Sequence, residues 1–192
     1  MHKLFYLILL TGLPYSNDLF AQDKFEKESR IKKRDLPSNA LMFIDSLNYD
    51  ARVKWYMEEG LTGKSIEAKF KYNKTKYSIE FDTLGNVEDT EMEEKWKNIP
   101  PDVSAMVSEQ FKSDCSMFKI QKVQKQYTGT EKDLLSILIN GKKSEELKTN
   151  FEIIVKCHQD KEVNLFEYLF NEKGKLISKS KIVFKNSSHL EY

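Results

Sequence analysis

"YSIEFDTLGNVED" at 77–89 returns as "FEYLFNEKGKLIS" at 166–178, with Phe81, Gly85 and Val87 falling on Phe170, Gly174 and Leu176 at a common offset of 89 residues. Each stretch reads as two strands about a turn. Asp82 and Asn171 suit the first turn position and Gly85 and Gly174 the last, where a type I turn closed by a left-handed glycine joins antiparallel strands. A fixed offset, preceded each time by a similar pattern, predicts two copies of one α+β unit.

Working outward, Leu36-Pro37 and Ile99-Pro100 each introduce a helical stripe. Ala40, Phe43, Ile44 and Leu47 recur at one helical face, as do Val103, Met106, Val107 and Phe111. Strand alternation follows: Val53, Trp55 and Met57 in the first half, Phe118 and Ile120 in the second. In "SIEAKFKY" at 65–72, Ile66, Ala68, Phe70 and Tyr72 share one face and Glu67, Lys69 and Lys71 the other. In "FEIIVKCH" at 151–158, Phe151, Ile153, Val155 and Cys157 form the inward set. The predicted fold is α+β, two tandem units, each a helix packed on a four-stranded antiparallel sheet: 36–95 and 96–185, with a polar tail at 186–192. The second unit carries an insertion at 128–150, whose Leu134, Leu135, Ile137, Leu138 and Ile139 fit either a helix or a strand. It either packs back on its own domain or is offered to a partner.

Residues 1–21 read as a secretory signal peptide, with Lys3 at the positive end, an apolar run from Leu4 to Leu10, and Phe20-Ala21 before Gln22. The run is too short to span a bilayer, so leader cleavage leaves no stable membrane span. The expected location is periplasmic or secreted. Lys+Arg number 31 against Asp+Glu 30, a net charge of +1 that gives no reason to expect nucleic acid. Residues 22–35 form a polar N-terminal extension, a tether or a loosely docked segment. Its "RIKKR" at 30–34 reads either as a solvated basic stretch or as an anion or membrane-surface contact.

In an oxidising compartment Cys115 and Cys157 could bridge, at about 3 to 4 kcal/mol. With 118–127 paired antiparallel to 151–159, residue 157 faces about residue 121 and Cys115 lies more than ~10 Å away along the strand. Two separate thiols are therefore the favoured expectation, with a bulge or a different register as the route to a bridge.

The element order, the Leu-Pro and Ile-Pro helix starts and the hairpin "EFDTLGNVEDTE" at 80–91 resemble the PepSY-like, beta-lactamase-inhibitor-like family of bacterial secreted proteins. The likeness covers about 36–184 and is most specific at Phe81, Asp82 and Gly85, with Trp55, Glu67 and Glu80 before them. In the second copy Ile120 stands where Trp55 stood, Asn171 replaces Asp82, and the insertion has no counterpart. The resemblance implies a secreted, non-catalytic protein that binds an extracytoplasmic protein or peptide, with enzyme inhibition as one use. The alternative is an envelope protein that binds a small apolar ligand or has a structural role.

No constellation for catalysis stands out. His2 lies in the leader, His189 in the tail, and His158 has no motif that places it beside an acid and a nucleophile. Cys157 and His158 point to opposite faces of a strand and cannot easily share a metal. The run Glu88, Asp89, Glu91, Glu93 and Glu94 reads as a solvated acidic strand edge, and Asp82 to Glu88 lacks calcium-loop spacing. No cofactor and no metal are expected. The outward sheet face of the first copy, with Glu67, Lys69, Lys71, Ser78 and Glu80, reads as an ordinary solvated surface. That of the second copy carries Ile154, Leu165 and Leu169, joined by Ile177 and Val183, and these five are the candidate binding residues.

Overall fold

The computed structural model describes residues 22–25, 27–60, 63–159 and 161–183. The signal peptide and the polar tail expected at 1–21 and 186–192 lie outside the described residues.

Ten strands form one sheet: β1 (Gln22–Phe25), β2 (Lys27–Arg30), β3 (Lys54–Glu59), β4 (Lys64–Tyr72), β5 (Thr75–Phe81), β6 (Val87–Glu93), β7 (Met117–Thr128), β8 (Lys148–Gln159), β9 (Glu162–Asn171) and β10 (Leu176–Val183). Their order is β1-β10-β9-β8-β7-β6-β5-β4-β3-β2. From β3 to β10 each strand lies antiparallel beside its neighbour in sequence. The expectation of a separate four-stranded sheet for each half is corrected here, because β6 pairs β7 from Thr90↔Tyr127 to Glu93↔Gln124. One sheet runs through both halves.

Helix α1 (Ser38–Ser46) precedes β3 to β6, and α2 (Pro101–Asp114) precedes β7 to β10. The stripes foreseen in the sequence face the sheet except at Met106, which is 53% exposed. Ala40, Phe43 and Leu47 are buried with Trp55, Ile66, Phe70 and Phe81; Val103, Val107 and Phe111 are buried with Ile153, Val155, Tyr168 and Phe170. Phe43 meets Phe81 edge-on at 5.7 Å, and Phe111 meets Phe170 edge-on at 5.8 Å.

The two repeated hairpins adopt the same turn. Gly85 N–H donates to Asp82 O at 3.0 Å, Gly174 N–H donates to Asn171 O at 2.9 Å, and φ is 86° and 79° at the two glycines. The Asp82 carboxylate accepts the backbone N–H of Leu84 and Asn86, and the Asn171 side chain accepts those of Lys173 and Lys175. Space reinforces the choice of glycine. A Cβ at Gly85 would sit 2.7 Å from Pro37 Cβ and one at Gly174 would sit 3.2 Å from Val103 O. Each turn thus packs onto the start of the helix preceding its strands, and any side chain would push the two apart.

The insertion forms helix α3 (Glu131–Asn140), capped by Thr130, whose hydroxyl accepts the Asp133 N–H, and ended by left-handed Gly141. It packs neither on the second-half cluster nor outward. Leu134, Leu138 and Leu147 are buried in the cluster of α1 and Trp55, and Tyr49 donates its hydroxyl proton to Leu138 O. The reason lies in β7, whose C-terminal part (residues 124–127) runs beside β6, so the chain leaving at Thr128 emerges over the first half.

Cys115 and Cys157 form a disulfide with Cα atoms 5.4 Å apart, which corrects the expectation of separate thiols. Residue 157 faces Phe118 rather than residue 121: the β7–β8 register differs by two residues throughout, and a bulge between Ile120 and Lys122 adds a third. Cys115 caps the end of α2, and the next residue, Ser116, donates its N–H to His158 O at 2.9 Å. The acidic run is corrected as well. Glu88 to Glu93 lie on β6, between β5 and β7 rather than at a sheet edge; Glu91 is buried there, while Glu88 and Glu93 are exposed as expected.

The polar extension is docked. β1 pairs in parallel with β10 (Gln22↔Ser180 to Phe25↔Val183), while β2 pairs antiparallel with β3 (Lys27↔Glu59 to Arg30↔Tyr56). A single residue separates β1 from β2, yet they stand at opposite ends of the strand order. In a flat sheet the seven spacings from β10 to β3 would hold those strands ~34 Å apart. The link through Phe25 and Lys27 brings Val183 and Glu59 to within roughly 17 Å. The sheet therefore curls, and residues 22–30 tie its two margins together.

Candidate functional site

Register assigns every strand residue to one of two faces. Trp55, Ala68, Ile79, Thr90 and Tyr127 make one row across the sheet, on the side of the helices. Lys54, Lys69, Ser78, Glu91, Gln126 and Asn150 make the row beside it, on the side without helices. Polar residues dominate this second face, and part of it is enclosed. Glu67, Ser78, Glu91 and Gln124 are only 5%, 4%, 6% and 3% exposed. The solvated surface expected for the first copy is thereby corrected at Glu67 and Ser78. A curled sheet turns such a face inward, toward its own strands.

Near β2 the enclosed face holds a carboxylate trio. Glu28, Glu58 and Glu67 bring ligand oxygens within 4.8 Å of one another, a grouping that suits a cation. The cation present is the protein's own: Lys69 Nζ lies 2.7 Å from Glu28, 3.9 Å from Glu58 and 2.6 Å from Glu67. Burial pushes the Glu67 carboxyl up, but hydrogen bonds from Glu58, Lys69 and Ser78 and the Lys69 charge carry it below the ordinary range. Burial likewise favours the neutral form of Lys69, and Glu67 and Glu28 reverse that, holding it charged. Glu28 belongs to the docked extension, so this cluster also fastens β2.

Across the face, burial pushes the Glu91 carboxyl well above its usual range; the Glu152 and Asp89 charges add to this and Lys122 opposes it. Glu91 and Glu152 share a hydrogen bond although β7 lies between their strands. On β7, Gln124 pairs with Glu152, and its buried Oε1 has no hydrogen-bond partner among the described residues.

A carboxyl that keeps its proton longer when folded than when unfolded contributes stability below the unfolded pKa. That contribution is lost as pH rises through the folded value. Glu91→Gln removes the loss. Urea unfolding of the variant is expected to match the parent near pH 4 and to exceed it at pH 7. The gap should open with a slope on the order of 1 kcal/mol per pH unit where only the unfolded chain ionises. A variant weaker than the parent at pH 7 would contradict a raised Glu91 carboxyl.

The five sequence candidates divide. Leu169 pairs with Glu152, Ile154 with Glu167 and Leu165 with Lys156, so all three lie on the helix-free face, half-buried, with Ile154 on β8 diagonal to both leucines of β9 and Glu167 between the leucines. Ile177 is 44% exposed at a bulge between Leu176 and Ser178. That extra residue shifts the alternation along β10. Lys179 and Lys181 face Tyr168 and Phe166, and Val183 follows them onto the helix side. The structure brings Ile154, Leu165 and Leu169 together and sets Ile177 and Val183 apart from them. Sequence reasoning missed Glu91, Gln124, Glu152 and the Lys69 cluster. The usable signal was the alternation in "VEDTEME", which puts Asp89, Glu91 and Glu93 on one face of β6.

No known protein-family profile matches the chain, and no curated protein matches it in sequence. Solved structures share the fold. A DUF2874 family protein from Bacteroides uniformis superposes with a TM-score of 0.51 at 15% identity, covering 76% of this chain and 88% of that one. A DUF2874 family protein from Bacteroides ovatus gives 0.50 at 15% identity, covering 76% and 87%. A BLIP-like protein from Bacteroides fragilis gives 0.46 at 20% identity, covering 80% and 92%.

Proposed function

We propose that this chain is a periplasmic or secreted, non-catalytic binding protein that takes a protein or peptide partner on the helix-free face of its sheet. Ile154, Leu165 and Leu169 serve as the apolar contact. The observation that carries the reading is their position: Ile154 lies diagonal to both Leu165 and Leu169, and all three stay half-buried on β8 and β9, outside the enclosed part of a largely polar face that no described helix covers. Beside and between them Glu152, Glu167 and Lys156 supply charged groups on the same face. The extracytoplasmic setting follows from the signal-like leader and suits the disulfide. In this reading 36–95 and 96–185 are two copies of one helix-and-strands unit that have merged their sheets. Enzyme inhibition is one form that such recognition takes in the family the sequence resembles.

The test is the double variant Leu165→Ser/Leu169→Ser. The parent chain, passed over an envelope extract from its own organism, is expected to retain a stoichiometric partner identifiable by mass spectrometry. The variant should keep a single cooperative melt and lose that partner at least tenfold. Equal retention by both chains, or failure of the variant to fold, rejects the face as a docking surface.

A further inference from the structure

Three oxygen-bearing side chains converge where the two halves of the sheet join. Glu91 comes from β6, Gln124 from β7 and Glu152 from β8, all on the helix-free face. Gln124 pairs with Glu93 on one side and with Glu152 on the other, so it lies on the strand that the Glu91–Glu152 hydrogen bond has to cross. That crossing spans two strand spacings, roughly 10 Å of backbone, and brings two acidic groups together over β7. Beneath them Gln124 is 3% exposed, and its buried Oε1 has no hydrogen-bond partner among the described residues. Gln126, next along that face, is committed: its Nε2 donates to Asp89 at 3.2 Å and its Oε1 accepts from Asn150 Nδ2 at 3.1 Å.

We propose that the Glu91 and Glu152 carboxylates and the Gln124 side-chain carbonyl form a site for a hard divalent cation, calcium above all, that fastens β6 of the first half to β7 and β8 of the second. All the donors are oxygens, with no His or Cys among them, which selects hard ions over zinc or copper. Calcium accepts carboxylate and amide oxygens in a flexible shell, and water completes it from the side of Glu152, which is half-buried. Magnesium demands a near-ideal octahedron and keeps most of its own water, which the enclosed Gln124 side does not suit. A water molecule donating to Gln124 Oε1 would leave the two acidic groups pressed together, whereas a dication answers both needs. Asp89 adds negative charge nearby, exposed Lys122 opposes it, and Ser78 faces Glu91 from β5. The trio of Glu28, Glu58 and Glu67 is no rival, because Lys69 already supplies its positive charge.

This inference does not rest on the partner reading, since Leu165→Ser/Leu169→Ser keeps all three donors and should bind calcium like the parent. The test is calorimetric titration of the chelator-treated chain with calcium chloride. Calcium is expected to bind saturably at one site, with a Kd of about 0.1 to 1 mM, the range of extracellular modules. Magnesium should bind at least tenfold more weakly. Affinity should be several-fold higher at pH 8 than at pH 5, because calcium displaces the proton that the raised Glu91 carboxyl retains. Glu91→Gln and Gln124→Leu should each weaken calcium at least tenfold, and Glu28→Gln, in the Lys69 cluster, should leave it unchanged. Thermal melts keep folding apart from binding: Glu91→Gln is the more stable chain at pH 7 in chelator, and added calcium should close that gap by raising the parent alone. Absence of calcium binding at millimolar concentration, equal affinity for magnesium, equal affinity at the two pH values, unchanged affinity in Glu91→Gln, or loss of binding in Glu28→Gln overturns the proposal.

Discussion

Converting Cys115 and Cys157 together to alanine is expected to lower the unfolding free energy by about 4 kcal/mol, the chain-entropy value for a bridge whose ends are 42 residues apart. Alanine is the informative replacement, because Cys157 is fully buried and a serine there would add an unpaired hydroxyl to the measured loss. The bridge ties the end of α2 to β8 and so encloses β7 and α3 within its loop. Exposed ion pairs such as Lys112–Glu109 contribute under about 1 kcal/mol each, so several of them together would not replace it. Urea unfolding of the parent with and without reductant, beside the double variant, checks the value. Equal midpoints in all three would show that the bridge does not stabilise the fold.

Phe81→Ala and Phe170→Ala are each expected to cost about 3 to 5 kcal/mol. Both rings are fully buried. Phe81 packs against Phe43 and Trp55, Phe170 against Phe111 and Tyr168. The sharper expectation concerns the shape of the transition. Because β6 pairs β7 and α3 sinks its leucines into the first-half cluster, a lesion in either half weakens the same cooperative body. Each variant should show one calorimetric transition, lowered by roughly 10 °C, rather than one shifted and one unshifted. Two separable transitions would mean that the halves melt independently.

The local pattern of the fold was readable. Helical stripes at Ala40/Phe43/Leu47 and Val103/Val107/Phe111, and the Asp82–Gly85 and Asn171–Gly174 turns, depend on residues a few positions apart, and the structure has them where periodicity and turn chemistry put them. What escaped depends on pairing between distant segments. A polar stretch such as 22–30 has too few apolar residues to announce a place in a core, yet backbone pairing needs none, and its strands sit on both sheet margins. A different β7–β8 register, with a single-residue bulge at Ile120/Lys122, brought Cys157 within reach of Cys115, and a bulge at Leu176/Ser178 moved Val183 off its expected face. Each is a shift that alternation alone cannot reveal. The burial of Glu67 and Glu91 follows from the curl of the whole sheet, which no stretch of sequence encodes locally.

The meeting of Gln22 with Ser180 sets an order of events for a chain made from its N-terminus. Strands β3 to β10 can zip up in succession as they emerge, each finding the one before it. The first strand must wait for the last, 158 residues later, before its own partner exists. Of the described strands, the first in the chain is then the last to find its partner. Until it does, the outer edge of β10 keeps its backbone groups unpaired.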